Sequence, residues 1–243
     1  MLARSIRAEW LKLRRSRIWL ILVSLPAISM LIGCANYAFN QGALQNGWYS
    51  LWTQVGLFYG EFFLPILVAI LCAYLCRLEH ANKNWHLLLT APVPAAHLFI
   101  AKLAVTAVLL GFVQILFALL YIGAGLGFGL GSEPPAALAG WAVRGWWASV
   151  AIGSVQLWLS MRIHSFAVPI GIGASAVFIG LGLYVAKLGL IFPHSLLTIG
   201  MGVLSQQSLP AAEIGLFYAM TSLYVILVSA LAIRRLRTAD AAA

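Results

Sequence analysis

Glu79-His80-Ala81-Asn82-Lys83-Asn84-Trp85-His86-Leu87-Leu88-Leu89-Thr90-Ala91-Pro92-Val93-Pro94 is a polar, aromatic and proline-ended island between two apolar runs, Leu51 to Cys76 before it and Leu98 to Ile122 after it. The flanks decide the fold. Each exceeds the roughly 20 mainly apolar residues that a helix needs to cross the hydrocarbon core of a bilayer, so the island reads as the water-exposed link between two membrane spans. The whole chain agrees: 63% of its 243 residues are hydrophobic and 9% charged, whereas soluble domains run at about 45–50% and 25%.

Working outward, the first span is the uncharged run from Ile18 to Phe39, and Asn40 to Ser50 forms a turn-rich connection to the second. Beyond the third span, Gly123, Gly125, Gly127, Gly129 and Gly131 suit close helix contact or a flexible exit, and they match no phosphate-binding loop. A fourth span covers Leu138 to Met161. The link Arg162-Ile163-His164-Ser165 turns the chain into a fifth, Phe166 to Ala186, whose Gly171, Gly173, Ser175, Gly180 and Gly182 predict an interior, tightly packed helix. Ile214 to Ile233 is the sixth, closed by Arg234, Arg235 and Arg237. The expectation is an all-α polytopic membrane protein whose six-span domain covers residues 18–237, followed by a tail over 238–243.

Orientation follows from the basic residues near the span ends. Thirteen of the fifteen Lys and Arg fall on the side of the termini and the island; Arg144 and Lys187 alone fall on the other. Both termini and the segment 77–97 are therefore expected in the cytoplasm. The same count assigns residues 188–213, apolar enough to tempt a seventh span, to outer re-entrant or lateral helices broken at Pro193-His194, because a seventh span would send the C-terminal arginines outward.

Residues 1–17 carry six basic side chains, and Leu2, Ile6, Trp10 and Leu13 recur at helical spacing. That is a basic amphipathic helix suited to the headgroup plane and to anionic lipid. The stretch also imitates a lipoprotein signal ending at Leu31-Ile32-Gly33-Cys34, but the apolar run continues past the cysteine, so an uncleaved first span is the plainer reading. Cys34, Cys72 and Cys76 lie in apolar runs and are expected to be reduced and structural, with no metal role.

The island itself has two readings. It is either a short stiff knob, with Asn84, Trp85 and Leu88 along one side and Pro92 and Pro94 ending it, that meets a soluble partner, or an interfacial loop whose tryptophan rests on the membrane. Glu61, beside Tyr59, is the single acid within a span and a functional candidate on that ground; it contacts cargo, pairs with Arg144 or reaches interfacial water. Arg144, among Trp141, Trp146 and Trp147, reads as an anchor in an aromatic belt, and Gln156 as interhelical glue.

Several chemistries lack their residues. There is no G-x-x-x-x-G-K-[ST], H-E-x-x-H or G-x-S-x-G pattern, no second acid at bilayer depth and no basic groove with interleaved aromatics of the kind that binds nucleic acid. Neither a catalytic set nor a cofactor site is expected in this chain.

Glu79-His80, then Asn84 to Val93, then Ala101-Lys102-Leu103 resembles the hallmark between the second and third spans of lantibiotic-immunity permeases, members of the ABC-2 transporter superfamily. Glu9-Trp10-Leu11-Lys12-Leu13-Arg14-Arg15-Ser16 is similar to the amphipathic start of the same group. The family often has a basic residue where this chain has Ala95 or Ala96. The resemblance implies a permease in a bacterial plasma membrane, paired with a second copy or a sister permease and with cytoplasmic ABC ATPases that bind the ATP and Mg. It makes the island a coupling helix, with Glu79, His80, Asn84, Trp85, Leu88 and Pro92 at the ATPase groove and Trp85 as anchor. Glu9, Trp10, Lys12 and Arg14 then mark the interfacial helix, while Glu61 and Tyr59 are the candidates on a cargo pathway. The cargo that the resemblance implies is an amphipathic peptide antibiotic; a lipid-like molecule or drug, or a non-transporting adaptor, are the rivals.

Overall fold

The computed structural model describes residues 1–14, 16–81, 93–205 and 209–240. Every regular element among them is helical. In chain order these are α1 (Leu2–Leu13), α2 (Ile18–Phe39), α3 (Gly47–His80), α4 (Ala95–Gly127), α5 (Ala137–Arg162), α6 (Ala167–Val185), α7 (Pro193–Met201) and α8 (Ala211–Asp240). Bilayer physics favours this outcome, because a helix satisfies all its backbone groups within one segment.

Among the described residues, five helices are long and apolar enough to cross a membrane: α2, α3, α4, α6 and α8. Helix α5 has 26 residues but falls outside that set. It packs against α3, α4, α7 and α8, and its buried side includes Arg144, Gly145, Ser149, Gly153, Ser154, Gln156 and Ser160. A helix enclosed by protein can carry polar and small residues that lipid would penalise, so its position tolerates a less apolar sequence.

Three features differ from the sequence reading. Helix α3 begins at Gly47, four residues before the apolar run, and widens into a π-helical stretch over Leu57–Phe63. Helix α4 absorbs Gly123, Gly125 and Gly127, and Gly125 is where the Trp48 ring lies against the backbone. Helix α6 is mostly exposed within the chain: only Pro169, Gly173, Val177 and Gly180 are buried. Gly173 meets Gln156 and Gly180 meets His194, whereas Gly171 and Gly182 face open space. One stripe of the helix makes contact, and the other glycines do not pack.

Residues 188–205 form a compact insert. A 3₁₀ turn, Gly189–Ile191, leads into α7, where Pro193 occupies the first turn; the missing N–H costs nothing there, so proline starts this helix. Nine residues span about 14 Å, less than half a bilayer core. Eight of the nine are buried. The insert is held by main-chain acceptors: Trp52 Nε1 donates to the Met201 carbonyl (2.9 Å) and Arg144 Nε to the Gly200 carbonyl (3.0 Å). Gly202, at φ 59° and ψ 28°, turns the chain out in the left-handed conformation that glycine adopts freely. Arg144 is thus a buried clamp rather than an anchor in an aromatic belt.

Candidate functional site

Helix α1 buries one face against the rest of the chain. Leu13 and Glu9 are buried and Leu2, Ile6 and Lys12 half-buried, whereas Trp10 is 39% exposed and stands edge-on to Trp19. The stripe that docks on α4 therefore runs Leu2, Ile6, Glu9, Leu13, and Trp10 lies off it. Arg14 caps the C-terminal end and is exposed.

Glu9 docks into a set of charges that, among the described residues, has four members. Lys102, in the second turn of α4, donates through Nζ to Glu9 Oε2 (3.0 Å), Glu79 Oε1 (2.8 Å) and the Leu75 carbonyl (2.8 Å). Lys12 bridges the same two acids, reaching Glu9 Oε1 at 2.8 Å and Glu79 Oε1 at 2.5 Å. Two cations and two anions sum to zero, which offsets the desolvation of burying Lys102 and Glu79, each 1% exposed. Glu79 Oε2 has no partner among the described residues.

The cluster ties together α1, the last turn of α3 and the first turns of α4. One residue on, His80 Nε2 donates to the Ser160 carbonyl (2.6 Å) near the end of α5, and its ring lies 4.9 Å from that of His164. Ala81 ends the described chain on one side of the island and Val93 resumes it on the other. Both roots of the island thus stand on a fixed base. Asn84, Trp85, Leu88 and Pro92 lie outside the described residues.

Glu61 and Tyr59 go to different neighbours. The π-helical stretch turns the Tyr59 ring onto Phe117 of α4, stacked at 3.6 Å, and its hydroxyl donates to Gln114 Oε1 (2.7 Å). That tyrosine is wholly buried packing. Glu61 faces α7, beside the Thr198 hydroxyl, and its Oε1 has no hydrogen-bond partner among the described residues. Arg144 is committed to Gly200 and forms no ion pair with Glu61. π-Helical turns inside α-helices are frequent at functional positions.

Sequence reasoning named Glu9, Lys12 and Glu79 separately and gave Lys102 no role of its own. A signal was present. Lys102 is a lone cation with Leu98-Phe99-Ile100-Ala101 before it and Leu103-Ala104-Val105 after it, and a charge so placed must find a counter-charge. Glu9 is likewise the single acid in a basic helix.

A family model described as ABC-2 family transporter protein matches residues 5–182 of the chain. That match covers most of α1, all of α2 to α5 and most of α6, including all four members of the charge cluster. No curated protein matches the chain.

Proposed function

The chain belongs to the ABC-2 family of transporter proteins, as a multi-pass permease subunit of the bacterial plasma membrane, and from that premise we propose that it expels an amphipathic, lantibiotic-like peptide antibiotic and so protects the cell. Membership implies association with a cytoplasmic ATP-binding-cassette ATPase, and ATP hydrolysis belongs to that partner. In this reading α5 is the fourth of six spans, both termini are cytoplasmic, and two permease copies or two sister permeases share the complex.

One observation carries the coupling mechanism: the buried cluster of Glu9, Lys12, Glu79 and Lys102 beneath the island. A segment that transmits force from an ATPase needs a stiff base, because a lever on a loose hinge moves without moving the spans. Here the base joins the interfacial helix to α3 and α4, so a push on residues 82–92 moves three helices together. Trp85 is the proposed anchor in the ATPase groove, and His80 holds the lever's root to α5.

Trp85→Ala is expected to cut cargo-stimulated ATP hydrolysis of the reconstituted complex by about tenfold or more, as hot-spot aromatics do, with membrane insertion unchanged. Normal stimulation in that variant would overturn the coupling role. Glu61→Gln keeps an acceptor beside Thr198 and is expected to shift unfolding by about 1 kcal/mol or less, while nucleotide-dependent loss of cargo from vesicles falls about fivefold. Unchanged transport would remove Glu61 from the pathway.

A second reading keeps the machinery and changes the cargo to a lipid-like molecule or drug. It is favoured by a cavity of about 680 Å³ beside α6 that has no charged side chain on its wall.

A further inference from the structure

That cavity lies between α5, α6, the start of α7 and α8. Its rim is apolar and open on one side: Val168, Ile172 and Ile179 of α6 are 49%, 41% and 55% exposed. On a permease those positions face hydrocarbon, so the opening is lateral, toward lipid. The volume lies within the roughly 300–1,000 Å³ of small-molecule sites.

The wall has two polar side chains with unmet hydrogen-bonding capacity. Gln156 is 2% exposed and its Oε1 has no partner among the described residues; His194 is 8% exposed and neither ring nitrogen has one. Orphaned polar atoms at such depth cost more than they return unless an occupant answers them. Two contacts hold them in place. The Gln156 amide packs onto Gly173, where any Cβ would collide with it, and the His194 ring stacks on Phe192 at 5.3 Å. Tyr224 closes the far side by donating its hydroxyl to the Ile191 carbonyl.

The lining also defines the charge of the occupant. Burial pushes His194 down to about 4, so its imidazole is neutral, with one donor and one acceptor nitrogen. With no acid on the wall, a cationic headgroup would find nothing to neutralise it. We infer that this cavity binds the apolar body of an uncharged amphiphile, whose hydroxyl or amide group hydrogen-bonds to Gln156 and His194. This deepens the exporter reading by naming the chemistry of the cargo portion that is recognised, and it rests on that reading only for its use in transport.

Binding can be measured on the permease alone in nanodiscs, apart from any ATPase. A long-chain alcohol bearing a diazirine is photoactivated and the labelled peptides are mapped by mass spectrometry, with unlabelled alcohol, the matching alkane and the matching trimethylammonium compound as competitors. Labelling is expected within residues 168–179 and 192–194, displaced by the alcohol and not by the other two. Gln156→Leu and His194→Phe should each weaken displacement about fivefold to tenfold. Gly171→Phe, which places a ring on the cavity wall from a position with open space around it, should abolish labelling.

Equal displacement by the alkane, or wild-type displacement in Gln156→Leu and His194→Phe, would overturn the assignment. So would a disulfide between two copies through Ile172→Cys that blocks the probe, since the face would then be an interface between permeases. With the ATPase added, loss of label on supplying ATP identifies the occupant as cargo and persistence identifies a resident lipid; the assigned chemistry stands in both cases.

Discussion

Lys102→Met lowers the stability of the chain by about 3–5 kcal/mol, the usual cost of removing one partner from a buried ion pair. The reason is local. Lys102 is the one member of the cluster that touches Glu9, Glu79 and the α3 backbone together, and without it two carboxylates share the partly exposed Lys12. Thermal unfolding in detergent reads the loss directly. Adding Glu79→Leu to Lys102→Met should restore most of it, because Lys12 and Glu9 remain as a balanced pair and an apolar side chain fills the vacated site. The double variant should nevertheless stay uncoupled, with ATP hydrolysis in the reconstituted complex indifferent to cargo, since α3 is no longer tied to α1 and α4 by charge. An unchanged unfolding midpoint in Lys102→Met would show that the cluster carries no stability. Full coupling in the double variant would show that it carries no force.

Gly33→Val is expected to cost about 3 kcal/mol, at the upper end of overpacking. A Cβ built on Gly33 would lie 2.4 Å from Val55 Cα and 2.8 Å from Val55 N. The obstacle is main chain, which cannot rotate aside, so α2 and α3 must part along their contact. Gly182→Ala is the matched control: nothing lies within 4 Å of its Cβ, and the change should gain a few tenths to about 1 kcal/mol through helix propensity. Unfolding midpoints of the two variants, compared with the native chain, check the pair. A neutral Gly33→Val would mean that the α2–α3 approach is looser than the structure has it.

Several elements were legible because their signals are local. The run from Ile18 to Phe39 contains no charge, and an apolar stretch of that length in a bilayer has one low-energy backbone conformation. Helix α5 was legible as a helix for its length, yet its sequence does not announce that protein surrounds it on several sides. The docked face of α1 was not legible for a related reason. Trp10 fits an apolar stripe by spacing, and only the presence of Lys102 on α4 makes Glu9 the better residue to bury. The glycines of α6 suggested a packed interior, but a small residue permits close contact without requiring it, and Gly171 and Gly182 have none.

By itself the sequence determined the solvent. Hydrophobic runs of bilayer length, with basic residues clustered near their ends, force helices through a membrane. These are transfer energies of single segments, and they add along the chain without knowledge of its partners. The tertiary structure alone decided which charges meet, why Tyr59 is packing while Glu61 faces α7, and that α7 is a buried insert held by Trp52 and Arg144. Those outcomes depend on residues far apart in the chain, Glu9 and Lys102 among them, whose mutual energy exists only once separate helices have been brought within a few ångströms.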